Sequence, residues 1–145
     1  MTHVKGLTAK AQIDIEAPAA RIWQALTDPE MISEYFFGTQ VTTDWKPGSP
    51  ITYRGTWNGK TYEDKGIIKE VIPEKLLRST YWSNMSGTED ARENYAVITY
   101  ELETSGGKTT LKLTQDNCLT PESQAHSQSS WAQVLAQLKK LVEKK

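Results

Sequence analysis

Apolar and polar residues alternate along the first part of the chain. A period of two places all the apolar side chains of a strand on one face and the polar ones on the other. The pattern predicts a first strand with one face in solvent. Its apolar positions are Leu7, Ala9, Ala11, Ile13 and Ile15.

Two short helices are predicted next, and each begins at a proline. Pro18 and Pro29 stand at helical starts, where the missing amide hydrogen costs nothing, and Asp28 is a favourable N-terminal cap. Gly38 ends the second helix. The apolar positions that follow at helical spacing are Ile22, Trp23 and Leu26, then Met31, Ile32, Tyr35 and Phe36.

Strand and turn signals then alternate from Thr39 to Asp116, which predicts six consecutive strands. Asn58-Gly59 is a strong hairpin signal, and Gly106-Gly107 joins two further antiparallel strands. The segment from Asn84 to Asn94 is too polar for a buried strand, so we expect a long surface loop there.

A long helix is predicted from Thr120 to the end of the chain. Residues 123–130 are polar on every face of the helix and form helices poorly. This half of the helix is therefore expected to cover a solvated or mobile part of the protein. The element order predicts an α+β fold, in which an antiparallel sheet buries its apolar face against this helix. The apolar stripe consists of Trp131, Val134, Leu135, Leu138, Leu141 and Val142.

Composition limits the class of protein. The 145 residues, 37% hydrophobic and 24% charged, fit a single globular domain over 1–145. No apolar run approaches the roughly 20 residues that a membrane span needs. The start of the chain does not resemble a secretory signal, so a cytoplasmic protein is expected. Seventeen basic and eighteen acidic residues leave no positive track for nucleic acid.

Motifs for catalysis and metal binding are missing from the sequence. Cys118 is the single cysteine and is expected to be a small buried hydrophobic residue rather than a nucleophile. His126 lies among serines that we interpret as solvated, and Glu63 and Asp64 would point to opposite faces of a strand. Gly107-Lys108-Thr109 is interpreted as a turn rather than a phosphate-binding loop. We therefore expect neither a cofactor nor a metal.

Large aromatic side chains are frequent, with five tryptophans among the 145 residues. From the sequence alone, filling of the core is the favoured explanation over a ligand pocket.

Several segments together resemble a known family. They are Ile22 to Glu30, the loop from Met85 to Tyr95, Gly106 to Leu111, and Trp131 to Leu138. They resemble bacterial proteins of the heat-shock-protein-90 ATPase activator homologue family, which belongs to the START-like, helix-grip superfamily. The resemblance implies a curved seven-stranded antiparallel sheet with two short helices and a long C-terminal helix. It also implies an interior cavity, which in relatives holds hydrophobic small molecules.

The function implied by this resemblance is binding of a small hydrophobic or aromatic molecule, which is lipid-, flavonoid- or polyketide-like, without catalysis. The residues expected to line the cavity are Tyr53, Trp57, Tyr62, Tyr81, Tyr100 and Trp131.

Two alternatives remain open. The first is a chaperone-associated interaction module, which a cavity filled by side chains would favour. Relatives that activate the chaperone carry a separate N-terminal domain, so weak or absent activation is expected here. The second is a cofactor-free enzyme of the cyclase or hydrolase type, which a buried carboxylate or histidine facing the cavity would favour.

Overall fold

The computed structural model describes residues 7–36, 38–57, 59–83, 89–118 and 120–143. They form a seven-stranded sheet with a long helix against one face, and a short 3-10 helix over Arg92–Asn94. The predicted order of elements is confirmed. The elements are β1 (Leu7–Ile15), α1 (Ala19–Thr27), α2 (Pro29–Tyr35), β2 (Gln40–Thr42), β3 (Pro50–Trp57), β4 (Lys60–Ile72), β5 (Leu76–Ser83), β6 (Ala96–Ser105), β7 (Lys108–Cys118) and α3 (Pro121–Glu143).

The strands follow the order β1-β7-β6-β5-β4-β3-β2, and every neighbouring pair is antiparallel. Strands β2 to β7 are therefore neighbours in chain order, whereas β1 pairs with the last strand. Because antiparallel neighbours require only short connections, turn-forming residues between them suffice.

Tight turns stand where the sequence predicts them. Ser105 pairs with Lys108, and the intervening Gly106 and Gly107 have φ angles of 58° and 85°. Two positive φ values in succession are typical of the hairpin turn that glycine favours. Strands β3 and β4 are joined by two residues, of which Asn58 lies outside the described part of the chain. Residues 84–88 of the predicted surface loop also lie outside it.

Capping residues define two of the helix starts. The Oδ1 atom of Asp28 accepts a hydrogen bond from the amide of Glu30 at 3.0 Å, at the start of α2. The Oγ1 atom of Thr120 accepts one from the amide of Ser123 at 3.0 Å, at the start of α3. Pro18 precedes α1 as its cap residue. These caps satisfy amide groups that the helices leave unpaired.

The core lies between the sheet and α3. The helix packs on β1 and β7 and contacts both short helices. Cys118 is 2% exposed and is buried as predicted. None of the helices among the described residues has the length and apolarity needed to cross a membrane. The buried residues of α3 are Trp131, Val134, Leu135, Leu138 and Val142.

Candidate functional site

The candidate site lies on the inner face of strands β3 to β6, below the first half of α3. The period of two along each strand decides which side chains point there. Asp64 shares a face of β4 with Ile68, which is 1% exposed, and Tyr100 shares a face of β6 with Ile98, which is 3% exposed. The same alternation brings Tyr53 from β3 to the inner face.

Five aromatic rings contact one another across this space. Tyr53 lies 5.8 Å from Tyr81 in an edge-to-face arrangement, measured between ring centroids. Phe36, directly after α2, is 6.4 Å from Tyr53 and 5.6 Å from Trp131 of α3. Trp131 is in turn 6.4 Å from Tyr100. We call Phe36, Tyr53, Tyr81, Tyr100 and Trp131 the aromatic cluster.

A carboxyl group is buried beside the aromatic cluster. Asp64 is 7% exposed, and the hydroxyl of Tyr81 donates a hydrogen bond to its Oδ2 atom at 2.5 Å. The Oδ1 atom is buried and has no hydrogen-bond partner among the described residues. Burial raises the pKa of the Asp64 carboxyl, and hydrogen bonds from Ser83 and Tyr81 oppose this rise. Glu63 points to the opposite face, where Arg54 donates to it at 2.8 Å.

The tyrosine hydroxyls of the site keep their protons. Burial raises the pKa of Tyr53 to about 12. Burial also raises the pKa of Tyr81 well above its ordinary range, and the charge of Asp64 adds to this effect. The pKa of Tyr100 is raised by burial and by neighbouring tyrosines. These hydroxyls are therefore neutral hydrogen-bonding groups at physiological pH.

Two spaces border the aromatic cluster. An enclosed cavity of about 20 Å³ lies against Tyr53 and Tyr100, which is room for about one water molecule. A more open recess of about 210 Å³ lies against Phe36, Tyr81 and Trp131. Aromatic side chains thus fill much of the interior, and the larger of the two spaces adjoins α3. The recess is also bordered by Gln115, His126, Ser127, Ser130 and Val134.

The polar first half of α3 therefore borders a recess. His126 is exposed on this half and contributes to the wall of the recess. Trp131 ends the polar half, and its Nε1 atom donates to Oε1 of Gln115 on β7 at 2.6 Å. The recess consequently combines indole and phenyl surface with several groups that form hydrogen bonds.

Four of the six predicted lining residues, Tyr53, Tyr81, Tyr100 and Trp131, meet in the aromatic cluster. Tyr62 instead lies across Gly55, where an added Cβ would be 2.3 Å from the tyrosine oxygen. Its hydroxyl is 2.5 Å from Oγ1 of Thr39. The side chain of Trp57, the last residue of β3, lies outside the described part of the chain.

The sequence prediction of lining residues omitted Asp64 and Phe36. A signal for Asp64 exists, because it lies two residues from Tyr62 and four from Ile68 and therefore shares their face of the strand. Phe36 was assigned to the apolar face of α2 without a role in the site. No group of three or more metal-binding side chains occurs within the described residues. The expected absence of a metal stays a prediction.

Comparison with known proteins identifies the family. Residues 16–143 match the family described as Activator of Hsp90 ATPase homolog 1-like protein. The chain belongs to this family. The predicted family resemblance and the predicted helix-grip fold are thereby confirmed. No match was found among curated proteins.

Solved structures similar to this member of the Activator of Hsp90 ATPase homolog 1-like family come from several bacteria. ChR145 from Cytophaga hutchinsonii is 42% identical, with 94% of each chain covered and a TM-score of 0.82. Aha1 from Colwellia psychrerythraea, solved as a dimer, is 24% identical, with 95% of this chain and 97% of that chain covered and a TM-score of 0.76. CalU16 from Micromonospora echinospora is 18% identical, with 94% of this chain and 76% of that chain covered and a TM-score of 0.73. The last two comparisons show the fold alone.

Proposed function

We propose that this protein binds a small, flat, hydrophobic or aromatic molecule between the sheet and the first half of α3. The observation that carries the proposal is the aromatic cluster, which adjoins an open recess of about 210 Å³ on one side and the buried carboxyl of Asp64 on the other. An apolar and aromatic wall with a few polar groups is the usual composition of a small-molecule site.

A ligand of this kind requires ring movement. The enclosed cavity of about 20 Å³ is too small for an aromatic molecule, so binding enlarges the recess inward. The rings of Phe36 and Trp131 meet edge to face at 5.6 Å. A flat ligand inserted beside them exchanges one aromatic contact for another of similar strength. Rotation of these two side chains is therefore the movement that the geometry favours.

The first half of α3 is held in a way that suits such movement. Nε2 of Gln124 donates to the carbonyl of Thr8 at 2.9 Å, and the amide of Lys10 donates to Oε1 of Gln128 at 3.2 Å. These are hydrogen bonds, one exposed and one partly buried, rather than buried apolar packing. Segments with few buried apolar contacts open locally at low free-energy cost. Access to the aromatic cluster therefore does not require the core to unfold.

A panel of lipid-, flavonoid- and polyketide-like compounds tests the proposal through thermal unfolding and tryptophan emission. Ligand at about a hundred times its Kd stabilises the folded state by about 2.7 kcal/mol. For a domain of this size the Tm should rise by about 5 to 10 °C. Binding should also quench the emission of Trp131. The Trp131→Phe variant should lose this quenching, whereas the matched Trp23→Phe variant, altered in α1, should keep it.

Other outcomes would favour the two alternatives. The largely filled interior suits a chaperone-associated module. Two results together would favour that function over ligand binding. They are the absence of a Tm shift across the panel and a saturable, several-fold rise in ATP turnover by Hsp90 from the same host. The Asp64–Tyr81 pair suits proton transfer. Chemical conversion of a bound compound, lost in the Asp64→Asn variant, would instead indicate an enzyme.

A further inference from the structure

One oxygen atom in the interior has an unfilled hydrogen-bonding capacity. Asp64 is directly opposite Tyr53 on β3 and Ser83 on β5. Tyr81 donates to its Oδ2 atom, while Oδ1 is buried and accepts no hydrogen bond from a described residue. An unpaired buried acceptor destabilises the folded state, and more so when it is charged. An apolar residue at this position would avoid that cost, so the acceptor calls for an explanation.

The surroundings of Asp64 define the partner that Oδ1 lacks. The titratable groups beside it include the phenols of Tyr53 and Tyr81, and the hydroxyl of Ser83 also hydrogen-bonds to the carboxyl. None of the ion pairs among the described residues includes Asp64. An anionic ligand would meet a carboxyl group without a compensating cation. A neutral hydroxyl on the ligand would supply the missing hydrogen bond.

The aromatic cluster places a ring beside this carboxyl group. Tyr81 borders the recess and also holds Asp64 through its hydroxyl. Its ring meets that of Tyr53 at 5.8 Å, and Tyr53 is the cross-strand neighbour of Asp64. A flat ligand packed against these two rings therefore has its edge close to the carboxyl group. The polar group of such a ligand belongs on that edge.

We propose that the site selects aromatic molecules with a hydroxyl group that donates a hydrogen bond to Oδ1 of Asp64. This inference rests on the proposed function and names its ligand class as phenols. Ethers of the same shape lack the donor, and aromatic carboxylates bring a negative charge and no donor to a site without a cation. Both are therefore bound more weakly. A site built to pair with a hydroxyl discriminates strongly against the analogue without it.

Calorimetry with 2-naphthol, 2-methoxynaphthalene and 2-naphthoate tests the inference. The wild-type protein should bind 2-naphthol about tenfold or more tightly than the methyl ether, since one lost hydrogen bond of about 1.4 kcal/mol gives this factor. Binding of 2-naphthoate should be the weakest. In the Asp64→Asn variant the amide oxygen accepts from Tyr81 and the NH₂ group faces the ligand. The preference for naphthol over its ether should then disappear or reverse.

Glu63→Gln is the matched control, because it makes the same chemical change on the adjacent residue of the outer face. This variant should keep the wild-type preference. Equal wild-type affinities for 2-naphthol and its ether would overturn the inference, even if Asp64→Asn does not fold. A preference retained in folded Asp64→Asn would overturn it as well. In both cases measurable binding would leave the proposed function standing, whereas no binding of these probes or of the wider panel would remove both.

Discussion

The two halves of α3 cover very different interiors. Its second half inserts Leu135, Leu138 and Val142, each at most 2% exposed, into an aliphatic core against β1 and α1. The first half is polar and borders the recess above the aromatic cluster. Close-packed side chains leave few voids, whereas a recess of about 210 Å³ borders the rings of Phe36, Tyr81 and Trp131. One helix thus separates a region that stabilises the fold from the region proposed to bind a ligand.

The division follows from the residues that each half supplies. Apolar side chains of α3 recur at helical spacing from Trp131 to Val142 and form a continuous buried stripe. Ser127 and Ser130 have little apolar surface to bury, so hydrogen bonds hold this half instead. The second half of α3 therefore contributes most of what this helix adds to the free energy of unfolding. The other end can be perturbed with smaller losses, which the following variants test.

Leu135→Ala should have the largest effect on stability. This side chain is 1% exposed, and its truncation removes apolar burial and leaves a cavity. We expect a loss of about 2 to 5 kcal/mol in denaturant unfolding monitored by circular dichroism. Affinity for any ligand found in the panel should remain unchanged. Gln133→Ala, on the exposed side of the same helix, is the control and should change stability by no more than about 0.5 kcal/mol.

Tyr100→Ala should cost less than Leu135→Ala, although tyrosine is the larger residue. The residue is half-buried and its side chain borders the enclosed cavity, so it has fewer packing contacts to lose. We expect about 1 to 2 kcal/mol in the same unfolding assay, with a clear loss of ligand affinity. Tyr100→Phe keeps the ring and should bind the ligand almost normally. A loss equal to that of Leu135→Ala would show that both halves are packed alike.

The smallest expected effect is a dependence of stability on pH that Asp64 contributes. Burial raises the pKa of its carboxyl above the ordinary value of 3.8, so the folded state holds the proton more tightly than the unfolded state. The resulting stabilisation is present below that value and is lost as pH rises through the pKa of the folded state. Wild-type protein should therefore lose stability relative to Asp64→Asn over this range.

Unfolding of both proteins across an acid to neutral pH series measures this difference. Asp44, Asp90 and Glu143 have lowered pKa values, which give the opposite slope. They are present in both proteins, so their contributions cancel in the comparison. A relative gain of wild-type stability with rising pH would show that Asp64 is better stabilised as a carboxylate than its burial implies.

Sequence patterns predicted the fold more completely than the site. The period of two in β1, the glycine pair before Lys108 and the cap at Asp28 each act over a few residues, so local physics determines them. Such local patterns predict the secondary-structure elements and their order along the chain. With the family resemblance, they also led to four of the five members of the aromatic cluster.

The remaining features depend on distances between elements. Phe36 reaches Tyr53 and Trp131 only because α2, β3 and α3 meet, and no local pattern encodes that meeting. The volume left between rings depends on their tilt as well as their size. Alternation along a strand excludes convergence of Glu63 and Asp64 on one face, so neither residue was predicted to belong to the site. The alternation along β4 shows on which face of the strand Asp64 lies. The sequence could not show that its Oδ1 atom lacks a hydrogen-bond partner.

The pairing of β1 with β7 has a consequence for folding during synthesis. Leu7 lies opposite Cys118, so β1 finds its partner strand only after the five strands between them have been made. Strands β2 to β6 pair with neighbours in chain order and can form hairpins earlier, because short loops close with less loss of entropy. Helix α3 is synthesised after all seven strands. Strands β3 to β6 therefore form an uncovered apolar surface on the nascent chain, and β1 and α3 cover it once both are available.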